Sequence, residues 1–292
     1  MNKAGFVSII GRPNVGKSTL MNKLVGTKIA GVSPKPQTTR GVVRGILTRE
    51  EGQILFLDTP GFHKPEDMLG DWMLHEVEKA LEGADLVYWM VIPGEPQKLE
   101  NQMADLLKTS GLPVFLVINQ VDRYPKAEVL PAIEQYQKLL DCREFIPVSA
   151  RDGTQLDVLV SKTYEHLPEG EPFYPEDQLS DQNERFLVCE LIREKVYHCT
   201  AHEIPYDTAV VIEEFTERDD GVVEIYAVFA VQRESQKAIL IGKKGAKMKE
   251  IGQVARLELE KFLKKKVFLK LWVKTEEHWK KDPAALRRLG YQ

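Results

Sequence analysis

GRPNVGKSTLMNKLVG, residues 11–26, matches the phosphate-loop pattern G-x-x-x-x-G-K-S over its first eight positions. It follows the apolar run FVSIIG and leads into a helical pattern, which is the strand–loop–helix context the motif requires. Backbone N–H groups of Asn14, Val15, Gly16, Lys17, Ser18 and Thr19, at the positive end of that helix, can cradle a β-phosphate. The Lys17 ammonium can pair the β- and γ-phosphates, and the Ser18 hydroxyl can ligate Mg²⁺. The bland alternative is a glycine-rich turn with a chance lysine, and the strand–helix context weighs against it.

Working outward from that loop, short apolar runs alternate with helical patterns up to about residue 166. QILFLDTPG, DLVYWMVI, VFLVINQVD and FIPVSA read, like FVSIIG, as strands buried on both faces. GKSTLMNKLVG, LGDWMLHEVEKALEG and NQMADLLKTS read as helices between them. The alternation predicts an α/β, doubly wound, mainly parallel sheet, with GVVRGILTRE as an antiparallel edge strand.

Three strand ends narrow the chemistry. In DTPG, residues 58–61, Asp58 can hold Mg²⁺ through a water and the Gly61 N–H can sense a γ-phosphate. In NQVD, residues 119–122, the Asp122 carboxylate can accept two hydrogen bonds from the N1–H and 2-amino groups of guanine; adenine offers no such pair. In VSA, residues 148–150, a backbone N–H of Ser149 or Ala150 can meet the guanine O6. A single Asp or Ser at a strand end is more often a helix cap. All three in order after a phosphate loop are specific.

On these motifs, residues 3–166 resemble a translation-factor-like small GTPase. The resemblance implies a GTP/GDP site in which Asn119, Gln120 and Asp122 hold the base and Lys17, Thr39 and Gly61 serve catalysis. It makes QTTR, residues 37–40, the first switch, with Thr39 the second Mg²⁺ ligand beside Ser18 and Asp58, and Thr38 the alternative. The bland reading of QTTR is a polar surface loop. Two departures stand out. Gln120 replaces the usual lysine of N-K-x-D, which keeps guanine selection and puts affinity in doubt. Phe62 stands where Ras-like proteins carry a water-orienting glutamine, and the adjacent His63 is more simply a solvated loop histidine. The resemblance extends to GTPases in which an asparagine at the position of Asn14 helps to hold K⁺ between the phosphates. The alternative is that Asn14 only hydrogen-bonds its loop.

LPEGEPFYPEDQLSDQ, residues 167–182, breaks the pattern with three prolines and no apolar period. The expected organisation is a GTPase domain over 1–168, a linker over 169–182 and an α+β domain over 183–292. The last part predicts helix, strand, strand, helix, helix, strand, with a hairpin turn at RDDG. AILIGKKGAKMKEIG, residues 238–252, lacks a second G-K-S/T and so is not a mononucleotide loop. Its alternative is a G-x-x-G clamp: Gly242 and Gly245 let a nucleic-acid backbone approach, and Lys243, Lys244, Lys247 and Lys249 supply charge. Ile239, Ile241, Ile251, Val254 and Leu257 are expected as core and groove wall together. Charge supports the clamp, since residues 181–232 hold 12 acids and 4 bases whereas residues 233–292 hold 7 acids and 17 bases. Exposed aromatics suited to base stacking are not evident in this half. HCTAH, residues 198–202, has no second ligand cluster and reads as a helix end.

The element order resembles the type II K-homology fold. Together with the GTPase motifs, it resembles the Era family of bacterial GTPases over nearly the whole chain. That resemblance implies a slow GTPase acting as a monomer on 16S-type ribosomal RNA and the 30S subunit during small-subunit maturation, in the cytoplasm, with peripheral contact at the inner face of the membrane left open. An assembly chaperone for which nucleotide is only a ligand is the competing reading. A metabolic kinase is disfavoured by Asp122. The N-terminus lacks the apolar middle of a signal peptide. Three scattered cysteines fit a reducing compartment and no disulfide framework.

Overall fold

The computed structural model describes residues 2–291; the outermost bounds expected for the two domains, Met1 and Gln292, lie outside them. The chain divides into two compact units. The first comprises Met1–Ala30, Thr39–Pro65 and Met73–Asp181, and the second Gly31–Thr38, Glu66–Trp72 and Gln182–Gln292.

The first sheet has six strands: β1 (Lys3–Gly11), β2 (Val43–Arg49), β3 (Gly52–Asp58), β4 (Leu86–Val91), β5 (Val114–Ile118) and β6 (Glu144–Pro147). Their order is β2-β3-β1-β4-β5-β6, all parallel neighbours except β2, which pairs antiparallel with β3 at the edge. Every residue of β3, β4 and β5 is buried, as helices on both faces demand. The intervening helices are α1 (Lys17–Val25), α2 (Met68–Glu82), α3 (Lys98–Ser110), α4 (Lys126–Gln137) and α5 (Leu156–His166). From β1 the chain winds outward to β3 on one side and β4 on the other. The carboxyl ends beside β1 are therefore the topological switch point, where open α/β sheets bind ligands.

Residues 169–181, expected as linker, pack along this sheet's edge. The Ile46 N–H donates to the Leu179 carbonyl, and the Phe173 and Tyr174 N–H groups donate to Gln53 Oε1. Arg44 pairs with Asp181, and Phe6 meets Phe173 at 5.1 Å between ring centroids.

The second unit runs α6 (Glu184–Cys199), α7 (Ile204–Asp207), β7 (Ala209–Glu217), β8 (Val223–Val231), α8 (Glu234–Ile241), a 3₁₀ turn over Lys243–Gly245, α9 (Ala246–Leu263), β9 (Val267–Thr275) and α10 (Pro283–Arg288). Asn183 caps α6, its side chain accepting from the Phe186 N–H at 2.7 Å. β7 and β8 form an antiparallel hairpin turning at Arg218–Gly221, and β9 returns parallel to β8. Helices α6, α8 and α9 cover one face through Leu191, Ile192, Leu240, Ile251 and Leu259, against Ile225, Ala227 and Phe229. The apolar set around GKKG divides: Ile251 is core, while Ile239, Ile241, Val254 and Leu257 are exposed on α8 and α9. One expectation is overturned. Phe268 and Trp272 are exposed on the strand β9, so this half does present aromatic rings to solvent. They escape a sequence reading because Phe268 and Trp272 put apolar rings on the face opposite Leu269, Leu271 and Val273, so large apolar residues stand at both alternating positions and the rings read as core.

Candidate nucleotide and nucleic-acid sites

Tight packing sets the phosphate loop. Gly16 has φ +101°, and a Cβ there would lie 2.3 Å from Asn119 Nδ2. Gly11 would place a Cβ 2.4 Å from the Met90 carbonyl oxygen. Both positions therefore require glycine for space, and Gly16 for its backbone as well. Lys17 is buried, and its ammonium donates to the Gly11 and Arg12 carbonyls, each at 3.1 Å. Burial lowers its pKa to about 8, against a smaller opposing pull from Asp58. Arg12 is tied to the buried Glu100 carboxylate at the start of α3 and to Gln97. No spacing rule in the sequence links residues 12 and 100.

Three oxygen-bearing side chains converge at the start of α1. The Ser18 hydroxyl donates to Asp58 Oδ2 at 2.5 Å and lies 2.9 Å from Thr39 Oγ1. Asp58 and Thr39 are both buried. Thr38 faces elsewhere, its hydroxyl bonded to Ser33 Oγ and the Lys35 carbonyl. Two hydroxyls and a carboxylate form a hard-oxygen set that suits Mg²⁺, which keeps its remaining positions for phosphate and water. Among the described residues no group of three or more His, Cys, Asp and Glu side chains could hold a metal.

Asn119 is a strut. Its side-chain N–H donates to the Val15 carbonyl at 2.7 Å, and its Oδ1 accepts from the Ala150 N–H at 2.9 Å. It joins the phosphate loop to the VSA loop. The amides expected at the guanine O6 are thus engaged inside the protein, Ala150 by Asn119 and Ser149 by the Thr154 carbonyl at 3.2 Å. Asp122 is oriented by the Ser149 hydroxyl, which donates to its Oδ1 at 2.8 Å. Gln120, at φ +65°, donates from Nε2 to the Asn14 carbonyl at 3.1 Å, so it binds the loop through a hydrogen bond where a lysine stem is usual.

Gly61 lies against Pro13, with room for no Cβ: the nearest atoms would stand at 2.8–2.9 Å. Phe62 donates its N–H to the Gly11 carbonyl and buries its ring in the core with Ile10 and Trp89. His63 turns its Nδ1 to the Gly61 carbonyl at 2.8 Å. Phe62 is thus a packing residue, and the loop after Gly61 contributes backbone to the site.

In the second unit GKKG connects α8 to α9 as a 3₁₀ turn. Gly242 (φ +72°) would bring a Cβ 2.9 Å from the Lys247 backbone nitrogen, whereas Gly245 (φ +80°) faces open space. Lys243, Lys244 and Lys249 are exposed; Lys247 is bonded to Glu250 at 2.7 Å. The turn therefore offers Gly245 facing open space, three exposed cations and apolar side chains on the helices flanking it. That is the chemistry of a nucleic-acid backbone clamp.

Comparison with known proteins identifies the family of each part of the chain. Residues 6–120 match the family described as 50S ribosome-binding GTPase, and residues 203–280 match the KH domain family. The chain is 48% identical to the GTPase Era of Trichlorobacter lovleyi over 99% of its own length and 98% of the relative's. It is 44% identical to that of Staphylococcus haemolyticus, over 99% and 97%. A singly substituted Aquifex aeolicus Era bound to GDP·AlF₄⁻ superposes with a TM-score of 0.95 at 42% identity, covering 99% of each chain. An Era in complex with MgGDPNP and nucleotides 1506–1542 of 16S ribosomal RNA gives 0.95 at 41% identity, covering 100% of this chain and 99% of that one. Phosphate loop, base-recognition loops and KH turn thus occur here in one chain that is alike from end to end, and the chain belongs to the Era family of GTPases.

Proposed function

We propose that this GTPase is a Mg²⁺-dependent guanine-nucleotide switch that binds the 3′ region of small-subunit ribosomal RNA through its GKKG turn and assists 30S maturation in the cytoplasm. The observation that carries the switch is the convergence of Ser18, Thr39 and Asp58 at the phosphate loop. These three side chains would hold Mg²⁺, which neutralises charge on the β- and γ-phosphates when bound. Lys17 pairs the same phosphates, Asn14 through Thr19 cradle them with backbone N–H groups, Gly61 offers its N–H to the γ-phosphate and Asp122 selects guanine. The GTPase domain is assigned to residues 1–168, the linker to 169–182 and the RNA-binding domain to 183–292. Among the described residues no helix is long and apolar enough to cross a membrane. Crosslinking in cells, with sequencing of the bound RNA, tests the partner. Reads concentrated at the 16S 3′ end are expected, and reads spread in proportion to RNA abundance would refute it.

The buried lysine makes a pH prediction. Nucleotide phosphates favour the charged ammonium, so binding raises a Lys17 pKa that stands at about 8 in the free protein. Above pH 8 binding must therefore take up a proton, and GDP affinity should fall by about tenfold per pH unit. Lys17→Arg stays charged throughout and should flatten the slope relative to the parent, while titration of the base is common to both. Equal slopes for the two proteins between pH 7.5 and 9 would disprove the assignment.

A second prediction concerns the charge that accelerates hydrolysis. With Phe62 in the core, no side chain at that position orients water. We assign the missing charge to K⁺ held with the help of Asn14, an exposed phosphate-loop residue at φ +65°. Turnover in KCl should exceed turnover in NaCl at equal ionic strength, and Asn14→Ala should remove the difference while GTP still binds. Equal rates in the two salts would instead point to the RNA or a protein as the donor of charge.

A further inference from the structure

The face of the second sheet opposite α6, α8 and α9 carries a row of side chains that the GKKG turn does not use. β9 is an edge strand whose side chains alternate. Val267, Leu269, Leu271 and Val273 pack on the core, while Phe268, Lys270, Trp272 and Lys274 are exposed. Parallel pairing sets Lys270 beside Tyr226 and Phe268 beside Glu224 on β8. The Tyr226 and Trp272 rings stack with centroids 5.4 Å apart at 28°, and Phe268 lies 6.4 Å from Tyr226. Lys270 Nζ stands 4.8 Å from the Trp272 centroid and 5.6 Å from that of Tyr226, and it makes no ion pair with a described residue. The carboxylate nearest the rings, Glu224, is paired with Arg218 at 2.8 Å, accepts a hydrogen bond from the Tyr226 hydroxyl and feels the Lys270 charge from beyond ion-pairing distance. Arg218 in turn lies over Phe268. Glu214 stands opposite Tyr226 on β7, and Lys274 pairs with Glu276.

We propose that this sheet face is a second single-stranded RNA contact, on which unpaired bases stack on Trp272 and Phe268 while Lys270 and Lys274 meet phosphates. The proposal rests on the reading of the chain as an RNA-binding protein. Exposed rings grouped on one sheet mark an interaction surface, and the chemistry around them selects the partner. A purely apolar protein partner would leave Lys270 buried and unpaired, at a heavy desolvation cost. A nucleic acid satisfies both parts at once, because every base has a π-face and every nucleotide a phosphate. Ring and cation alternate at two-residue intervals, roughly 6.5 Å along a strand, so the ring–cation pair recurs after four residues and an extended chain can meet Phe268 with Lys270 and then Trp272 with Lys274. Aromatic side chains on a sheet are also how sheet-type RNA modules hold bases. The strand lies in the segment whose 17 bases outweigh 7 acids, which supplies the long-range attraction.

The test compares the full-length parent, Trp272→Leu with Phe268→Leu, and Lys243→Asp with Lys244→Asp. Leucine keeps apolar cover over the sheet and removes the π-faces, and circular dichroism checks the fold. The probes are labelled oligouridine and the 16S segment corresponding to nucleotides 1506–1542. The leucine variant should lose roughly 5- to 100-fold in affinity for both probes, the range expected for one or two stacked bases on an exposed surface. Oligouridine should also quench the Trp272 emission, measured as the difference between the parent and Trp272→Phe. Parent-like affinity of the leucine variant, or an unquenched Trp272, would overturn the proposal. So would self-association in sedimentation that the leucine variant abolishes without changing RNA affinity, since that would make the face a contact between copies. The two RNA readings fail separately. If the aspartate variant binds as the parent does while the leucine variant is weakened, the clamp is wrong and the platform stands; if the parent binds neither probe, both are wrong.

Discussion

Asp122→Asn should turn a GTP-binding protein into one that prefers xanthosine triphosphate, with GTP affinity falling by about 10²- to 10⁴-fold. The magnitude comes from two hydrogen bonds between a carboxylate and the paired donors of guanine, each worth about 1.5–3 kcal/mol when one partner is charged. Asparagine keeps one acceptor and presents an N–H₂ to a donor of the base, whereas xanthine carries a carbonyl in place of the 2-amino group and accepts that N–H. The protein itself should tolerate the change. Asp122 is held by the Ser149 hydroxyl at 2.8 Å, a bond an amide oxygen also accepts, and Arg123 stands at the outer limit of ion pairing at 4.0 Å. Competition against labelled GDP checks the outcome. A variant that still ranks GTP above xanthosine triphosphate as the parent does would show that Asp122 does not read the base.

The parts of this site that are legible in the sequence are those whose chemistry is local. A phosphate loop is one strand end and one helix start, and β3, β4 and β5 are continuous apolar runs because both their faces are covered. Motifs at successive strand ends meet because parallel strands bring all their carboxyl ends to one edge. The supporting interactions are not local and leave no periodic trace. Arg12 finds Glu100 across 88 positions, and Asn119 clamps Val15 to Ala150 while also determining that residue 16 has no side chain. α4 hides behind Pro131 within it, and residues 169–181 read as linker because their prolines and acids mask the few groups that meet the sheet edge. At β9 the period-two signal fails because aromatic rings occupy the solvent side as well as aliphatic side chains the core side.

Replacing Lys243, Lys244, Lys247 and Lys249 together by alanine should lower RNA affinity by about two to three powers of ten at 0.1 M salt and leave GTP affinity unchanged. Each phosphate contact on a single strand contributes about 0.7 to the slope of log affinity against log salt, so four lost contacts flatten it by about 2.8. Extrapolated between 1 M and 0.1 M salt, that slope is itself the expected loss. Lysines are the right targets because the glycines are not neutral probes. A side chain at Gly242 would collide with the Lys247 backbone at 2.9 Å, so loss of binding there would confuse a deformed turn with a blocked phosphate. The four lysines should also contribute unequally. Lys243, Lys244 and Lys249 are exposed without that constraint, whereas Lys247 is bonded to Glu250 at 2.7 Å and must exchange one anion for another to reach RNA. Lys247→Ala alone should therefore change the slope least, and Glu250→Gln should tighten binding by freeing that ammonium and removing a negative charge. A quadruple variant with the parent's salt slope would place the phosphates elsewhere. Equal slopes for Lys247→Ala and Lys243→Ala would show that the Glu250 pair is already open when RNA arrives.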